Sequence, residues 1–167
     1  MKVKIRTVVQ EDVSSLPQLI AQVEHESLYM LYEGGERNIT EEKTETLIRS
    51  TMNQHNSTIL IAEKNHQPVG YVMAFGGNAI RNQHSAYVVI GIVKHERGQG
   101  IGKRLFDELF RWANEQNLHR LELTVVTENE PGISLYKKMG FQIEGTKKHS
   151  LFIDKDFYDE YYMAKLL

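Results

Sequence analysis

A chain of 167 residues fits a single domain, residues 1–167, with one core and little room for a second. Its 20 Lys and Arg stand against 22 Asp and Glu, a net charge of −2, which argues against nucleic acid as the main partner because such domains are usually strongly basic. The longest apolar run, residues 86–93, falls far short of the roughly twenty that span a bilayer, so no membrane is expected and a cytosolic location is the default.

In chain order, Val3–Thr7 alternates like a short strand, and Glu11 and Asp12 open an amphipathic stretch through Leu16, Leu19, Ile20 and Val23. Pro17 sits early there, where a helix tolerates it. Gly34 and Gly35 break the chain, and Thr40 reads as the N-cap of a polar helix through Leu47, Ile48 and Met52. Residues 58–63 and 69–75 read as a hairpin joined through residues 64–68. Residues 86–93, apolar on both faces, read as the most buried strand. From 100 to 117, Ile101, Leu105, Leu109 and Trp112 share one helical face, while Lys103, Arg104, Asp107, Arg111 and Asn114 share the other. Residues 121–126 read as a strand, and 133–139 as a helix stopped by Gly140. Residues 141–144 and 157–166 read as the strands that finish the sheet. This order predicts one mixed α/β (α+β) layer structure.

The chain has no cysteine, which removes disulfides, thiolate metal sites and cysteine nucleophiles. His25-Glu26 and His95-Glu96 lack the second histidine of a helical zinc site, and no metal is expected. Gly132, Ser134 and Tyr136 begin like a nucleophile elbow, but Tyr136 stands where its second glycine should be.

The sharpest feature is the run from Arg97 through Gly98, Gln99, Gly100, Ile101 and Gly102 to Lys103. It follows a strand and opens a long helix, where free amides and the helix dipole make an anion site, with phosphate the obvious anion. Lys103 breaks the dinucleotide fingerprint, and Arg97 and Arg104 break the P-loop. A tight strand-to-helix turn is the plainer alternative. Gly91, inside residues 86–93, marks either a bulge or close packing against an aromatic.

Residues 92–105 resemble the acyl-CoA-binding motif of the GNAT superfamily of N-acetyltransferases: an apolar strand, then Arg97, Gly100 and Gly102 at the family's spacing. A second block, Asn129, Leu135-Tyr136 and Gly140-Phe141, is similar to that family's downstream motif. The resemblance implies a single, mostly antiparallel twisted sheet flanked by helices, with acetyl-CoA as cosubstrate and no metal. It implies backbone amides of Arg97, Gly98, Gln99, Gly100, Ile101, Gly102 and Lys103 on the cofactor pyrophosphate. Ile92 and Val93 would pair with the pantetheine arm, Asn129 and Lys138 would bind the cofactor, and Tyr136 would sit near the thioester sulfur. Lys94, Gly132 and Lys155 depart from the family's usual Pro, Ala and Gly.

Acetyl transfer to an amine needs a proton removed from nitrogen and one supplied to the leaving sulfur. A tyrosine hydroxyl can supply the second, which points to Tyr136. For the first, Glu122 shares a strand face with Thr124, the position where the family commonly has its acidic base; an outward-facing Glu122, His84 or a water are the alternatives. Glu24, Glu26, Tyr29, Tyr32 and Glu33 would suit a cationic acceptor, or form the polar face of a surface helix. The C-terminal block resembles family members that act on amino acids, polyamines and related small amines, with a protein N-terminus as second choice. The resemblance also allows a homodimer, and a non-catalytic acyl-CoA sensor remains a different class of answer.

Overall fold

The computed structural model describes residues 2–167. Seven strands form one sheet in the order β1-β2-β3-β4-β5-β7-β6. They are β1 (Val3–Thr7), β2 (Thr58–Lys64), β3 (Gln67–Gly76), β4 (Ser85–Ile92), β5 (Arg120–Val126), β6 (Gln142–Ile153) and β7 (Asp156–Leu166). Every neighbouring pair is antiparallel except β4 and β5. The helices are α1 (Leu16–Glu26), α2 (Glu41–Met52), α3 (Ile101–Glu115) and α4 (Glu130–Lys138). The mixed, mostly antiparallel sheet flanked by helices is the expected architecture.

Packing divides the sheet into two faces. A Cβ on Gly91 would point at Val23 of α1 and at Tyr71 of β3, so odd-numbered positions of β4 face α1. A Cβ on Gly102 would meet Leu135 of α4, with Ile92 close by, so even-numbered positions face α3 and α4. On α3, Ile101, Leu105, Phe106, Leu109 and Ala113 are buried against this second face, as the helical spacing requires.

Several local expectations change. The amphipathic stretch begins as a separate 3-10 turn, Gln10–Val13, because the Asp12 carboxylate accepts from the Val9 N–H and from both Arg6 NH groups at 2.8 Å. The α-helix then starts at Leu16, with Pro17 in its first turn, where no amide donor is required. Helix α4 starts earlier than residue 133, since the Asn129 side chain accepts from the Gly132 N–H at 3.1 Å and caps it. Gly140 stops that helix at φ 95°, as read.

The most buried strands are β2 and β3, over residues 58–62 and 69–74, not β4. On β4, Tyr87 is exposed, and Val89, Ile90 and Ile92 are half-buried, because part of that strand lacks a neighbour on one side. Gly91 sits in continuous register with Tyr71, so it makes no bulge and instead allows a close approach. Strand β6 runs nine residues beyond residue 144, to Ile153. Its polar middle carries no apolar alternation, and pairing with β7 holds it. The Tyr-rich tail is an interior strand, with β6 outside it at the edge.

Candidate functional site

Strands β4 and β5 pair only through Ser85↔Arg120, Ala86↔Leu121 and Tyr87↔Glu122. Beyond that vertex β5 stays with β7 along its whole length, and β4 stays with β3. The two strands therefore splay, leaving the β5-facing backbone edge of β4 unpaired from Val88 onward. An unpaired strand edge inside a fold is a hydrogen-bonding surface for an extended, amide-bearing chain.

The glycine run lies beyond the open end of this splay. Gly98 and Gly100 adopt φ 75° and 82°, and a Cβ on either would meet nothing within 4 Å. They are required by backbone conformation and face open space. Gly102 differs: a Cβ there would come 2.8 Å from Leu135 Cδ2, so it serves the contact of α3 with α4. Gly100 caps α3 without a side-chain acceptor, and the first turn carries no acidic residue. Among the described residues, the amides of 98–103 make no hydrogen bond. The result is a positive, open cradle suited to a phosphate.

Side chains around the cradle stiffen it. Glu96, buried, takes the Lys64 ammonium at 2.8 and 3.1 Å and ties the turn before the glycines to β2. Glu26 accepts from the Lys94 N–H at 3.2 Å, and Gln99 Nε2 donates to the His95 carbonyl. Arg97 Nε donates to the Ile92 carbonyl at 3.0 Å, so that carbonyl is already engaged. Val93 lies just past the strand, its N–H donating to Val69. Lys103 pairs with Asp107 at 2.6 Å, while Lys138 is exposed at the end of α4. Asn129 is the α4 cap, and a Cβ on Gly132 would come 2.7 Å from its Nδ2, which accounts for glycine rather than alanine there.

Tyr136 on α4 is half-buried between Phe106, edge-on at 5.9 Å, and Phe141 at 6.1 Å. Burial pushes its hydroxyl up to about 12, and nearby Tyr87 adds to the effect. The hydroxyl makes no hydrogen bond among the described residues and is not sealed from solvent. Tyr87 spans the vertex, its hydroxyl 2.8 Å from Thr124 Oγ1; nothing in the sequence distinguished this pair.

The candidate bases are placed differently. Glu122 stands at the vertex, on the α1 face with Tyr87 and Thr124, and its carboxylate takes Arg120 Nε at 2.8 Å. Arg120 also grips Glu144 at 2.5 and 2.9 Å, holding that carboxyl below the usual carboxylate range. His84 lies at the closed end of the splay, 6.3 Å from His119 and away from the cradle. Of the acidic and aromatic cluster near α1, Glu24 is buried on Arg37 at 2.5 Å, Arg37 lies over the Tyr32 ring, and Glu26 holds Lys94. Tyr29 packs 6.0 Å from Tyr158 of β7. Among the described residues no group of three metal-ligating side chains occurs, and no helix is long and apolar enough to cross a membrane.

Residues 23–141 match the acetyltransferase (GNAT) family. The chain belongs to the GNAT family. It is 36% identical over 87 residues to the L-amino acid N-acetyltransferase AaaT of Escherichia coli (strain K12), covering 52% of this chain and 54% of that relative. The chain thus spans about half the length of that curated relative. An acetyltransferase of the GNAT family from Streptococcus pneumoniae superposes with a TM-score of 0.96 at 29% identity, over 99% of this chain and 100% of that one. The ribosomal-protein-alanine N-acetyltransferase of Brucella melitensis superposes at 0.86 with 24% identity, covering 98% and 99%, which shows the fold alone.

Proposed function

We propose that this GNAT protein transfers an acetyl group from acetyl-CoA to a primary amine of a small molecule, by direct attack within a ternary complex. The observation that carries the reading is the splay, with the amide cradle beyond its open end and the Tyr136 hydroxyl left without an internal partner. The residues present fit acetyl-CoA. A pyrophosphate suits the free amides of residues 98–103, and the amide-rich pantetheine arm suits the unpaired edge of β4.

Bound acetyl-CoA supplies an acetyl thioester. In the transfer a nitrogen–carbon bond forms, the carbon–sulfur bond breaks, one proton leaves nitrogen and one reaches sulfur. Tyr136 stays protonated throughout the neutral range, because its buried phenolate is disfavoured, and it donates to the leaving sulfur. Glu122, steadied by Arg120 at the vertex, draws the amine proton through water. The small-molecule acceptor follows the amino-acid activity of the Escherichia coli relative. A homodimer belongs to the same reading, and light scattering checks it.

The test is thiol release from acetyl-CoA, read by a thiol dye to which this cysteine-free chain is silent. Amino acids, polyamines and an alanine-initiated peptide are offered in turn. Amine-dependent release is expected, and Tyr136→Phe should lower it about 100-fold with the acetyl-CoA KM within about threefold. Tight CoA binding without release by any amine would instead make the protein a sensor.

A further inference from the structure

Glu160 of β7 is buried, with 9% of its surface exposed. One carboxylate oxygen accepts from the Ser150 hydroxyl of β6. The other has no partner among the described residues and is not sealed from solvent. No cation of the described chain reaches this carboxylate, and Lys147, its register partner on β6, is exposed and stays outside ion-pairing distance. The other strongly buried carboxylates are treated differently: Asp12, Glu24 and Glu96 each hold an arginine or lysine. A buried charge without a countercharge is unfavourable unless something cationic comes to it.

Register fixes where Glu160 faces. It pairs with Val126 of β5, in the row where Thr124 pairs with Tyr162 and Glu122 with Ala164. Thr124 bonds Tyr87 across the splay, so Glu160 lies on the same face as that pair, the face of α1. It sits at the open end, opposite the end of β5, roughly 13 Å along the strand from Glu122. Tyr158, two residues back on the same face, packs on Tyr29; burial first, then Tyr29, with Asp156, Glu128 and Asp154 adding, pushes its hydroxyl up. The cofactor cradle, in contrast, is ringed by Lys94, Arg97 and Lys103.

We propose that Glu160 binds a positively charged nitrogen of the acceptor. This rests on the acetyl-transfer reading for its context, but the binding is measurable without turnover. An ammonium docked on Glu160 replaces the missing countercharge.

The experiment titrates spermidine, agmatine and L-lysinamide calorimetrically into the wild-type protein, Glu160→Gln and Ser150→Ala, beside thiol release with the same amines and melting temperatures. Glu160→Gln keeps an acceptor for Ser150 and removes the charge. At least one amine should bind the wild type, and Glu160→Gln should weaken it tenfold or more. The amine KM should rise alike while the acetyl-CoA KM stays within twofold, and the melting temperature should hold or increase. Ser150→Ala, which retains the carboxylate, should weaken binding less than Glu160→Gln does. Equal binding by wild type and Glu160→Gln, or no binding of any of the three amines, overturns the proposal. A fall in melting temperature with both KM values moving together would make Glu160 a structural group and overturn it too. Binding that depends on Glu160 without any thiol release would sink the acetyl-transfer reading and leave this one standing.

Discussion

Hairpins β2–β3 and β6–β7 turn through the same device and end in opposite environments. Asn65 and His66 have φ 53° and 62°, and Asp154 and Lys155 have 48° and 70°, so each turn uses two successive left-handed residues. Residues 58–62 and 69–74 are then fully buried, whereas β6 is exposed or half-buried at every position. Backbone pairing and a suitable turn suffice to make a strand, and core burial is a separate property set by which helices lie over it. The face proposed for the acceptor is the α1-side face of β5 and β7, whose opposite face buries Leu121, Leu123, Val125 and Met163 in the core, while the β2–β3 half anchors the glycine turn through Lys64 and Glu96.

Side-chain truncation breaks this comparison most strongly. Ile61, with no exposed surface, should cost about 3 kcal/mol on Ile61→Ala, from lost transfer energy and a residual cavity. Phe152→Ala at the other hairpin, 64% exposed before truncation, should change stability by less than about 0.5 kcal/mol in the same urea titration.

A smaller effect separates the halves by pH. Burial alone would push the Asp12 carboxyl up, but its bonds from Arg6 and the Val9 N–H overcome that and hold it below its ordinary value. A depressed folded-state pKa stabilises above the unfolded value, about 3.9, and that contribution disappears as pH falls through the folded-state value. Asp12→Asn should therefore cost about 2 kcal/mol at pH 7, with the gap to wild type closing below about pH 4 in acid-titrated melts. Parallel curves from pH 7 to 3 would deny Asp12 this role.

The remaining effect is a gain. Lys155 stands at φ 70°, where a side chain is strained. Lys155→Gly should stabilise by about 1 kcal/mol in chemical denaturation, while Glu160-dependent amine binding stays unchanged.

Much of the fold was legible because its periodicities are strong. Ile101, Leu105 and Leu109 announce α3, and the apolar runs at 58–63 and 69–75 announce the buried hairpin. The β6 strand was not, since its middle residues, from Thr146 to Ser150, carry no alternation that a core would impose. The glycine run likewise stood out in the sequence, but not that Gly98 and Gly100 shape the loop while Gly102 answers to Leu135.

What the sequence by itself determined is local: helix faces, caps, turn residues and a family motif at its family spacing. Only the tertiary structure decided which carboxylates are free. Glu24, Glu26, Glu96 and Glu122 all find internal partners, while Glu160 finds a hydroxyl and no cation. The reason is physical: most of these partners reach the carboxylate through space, from elements distant in the chain, and no pattern along the sequence records that distance.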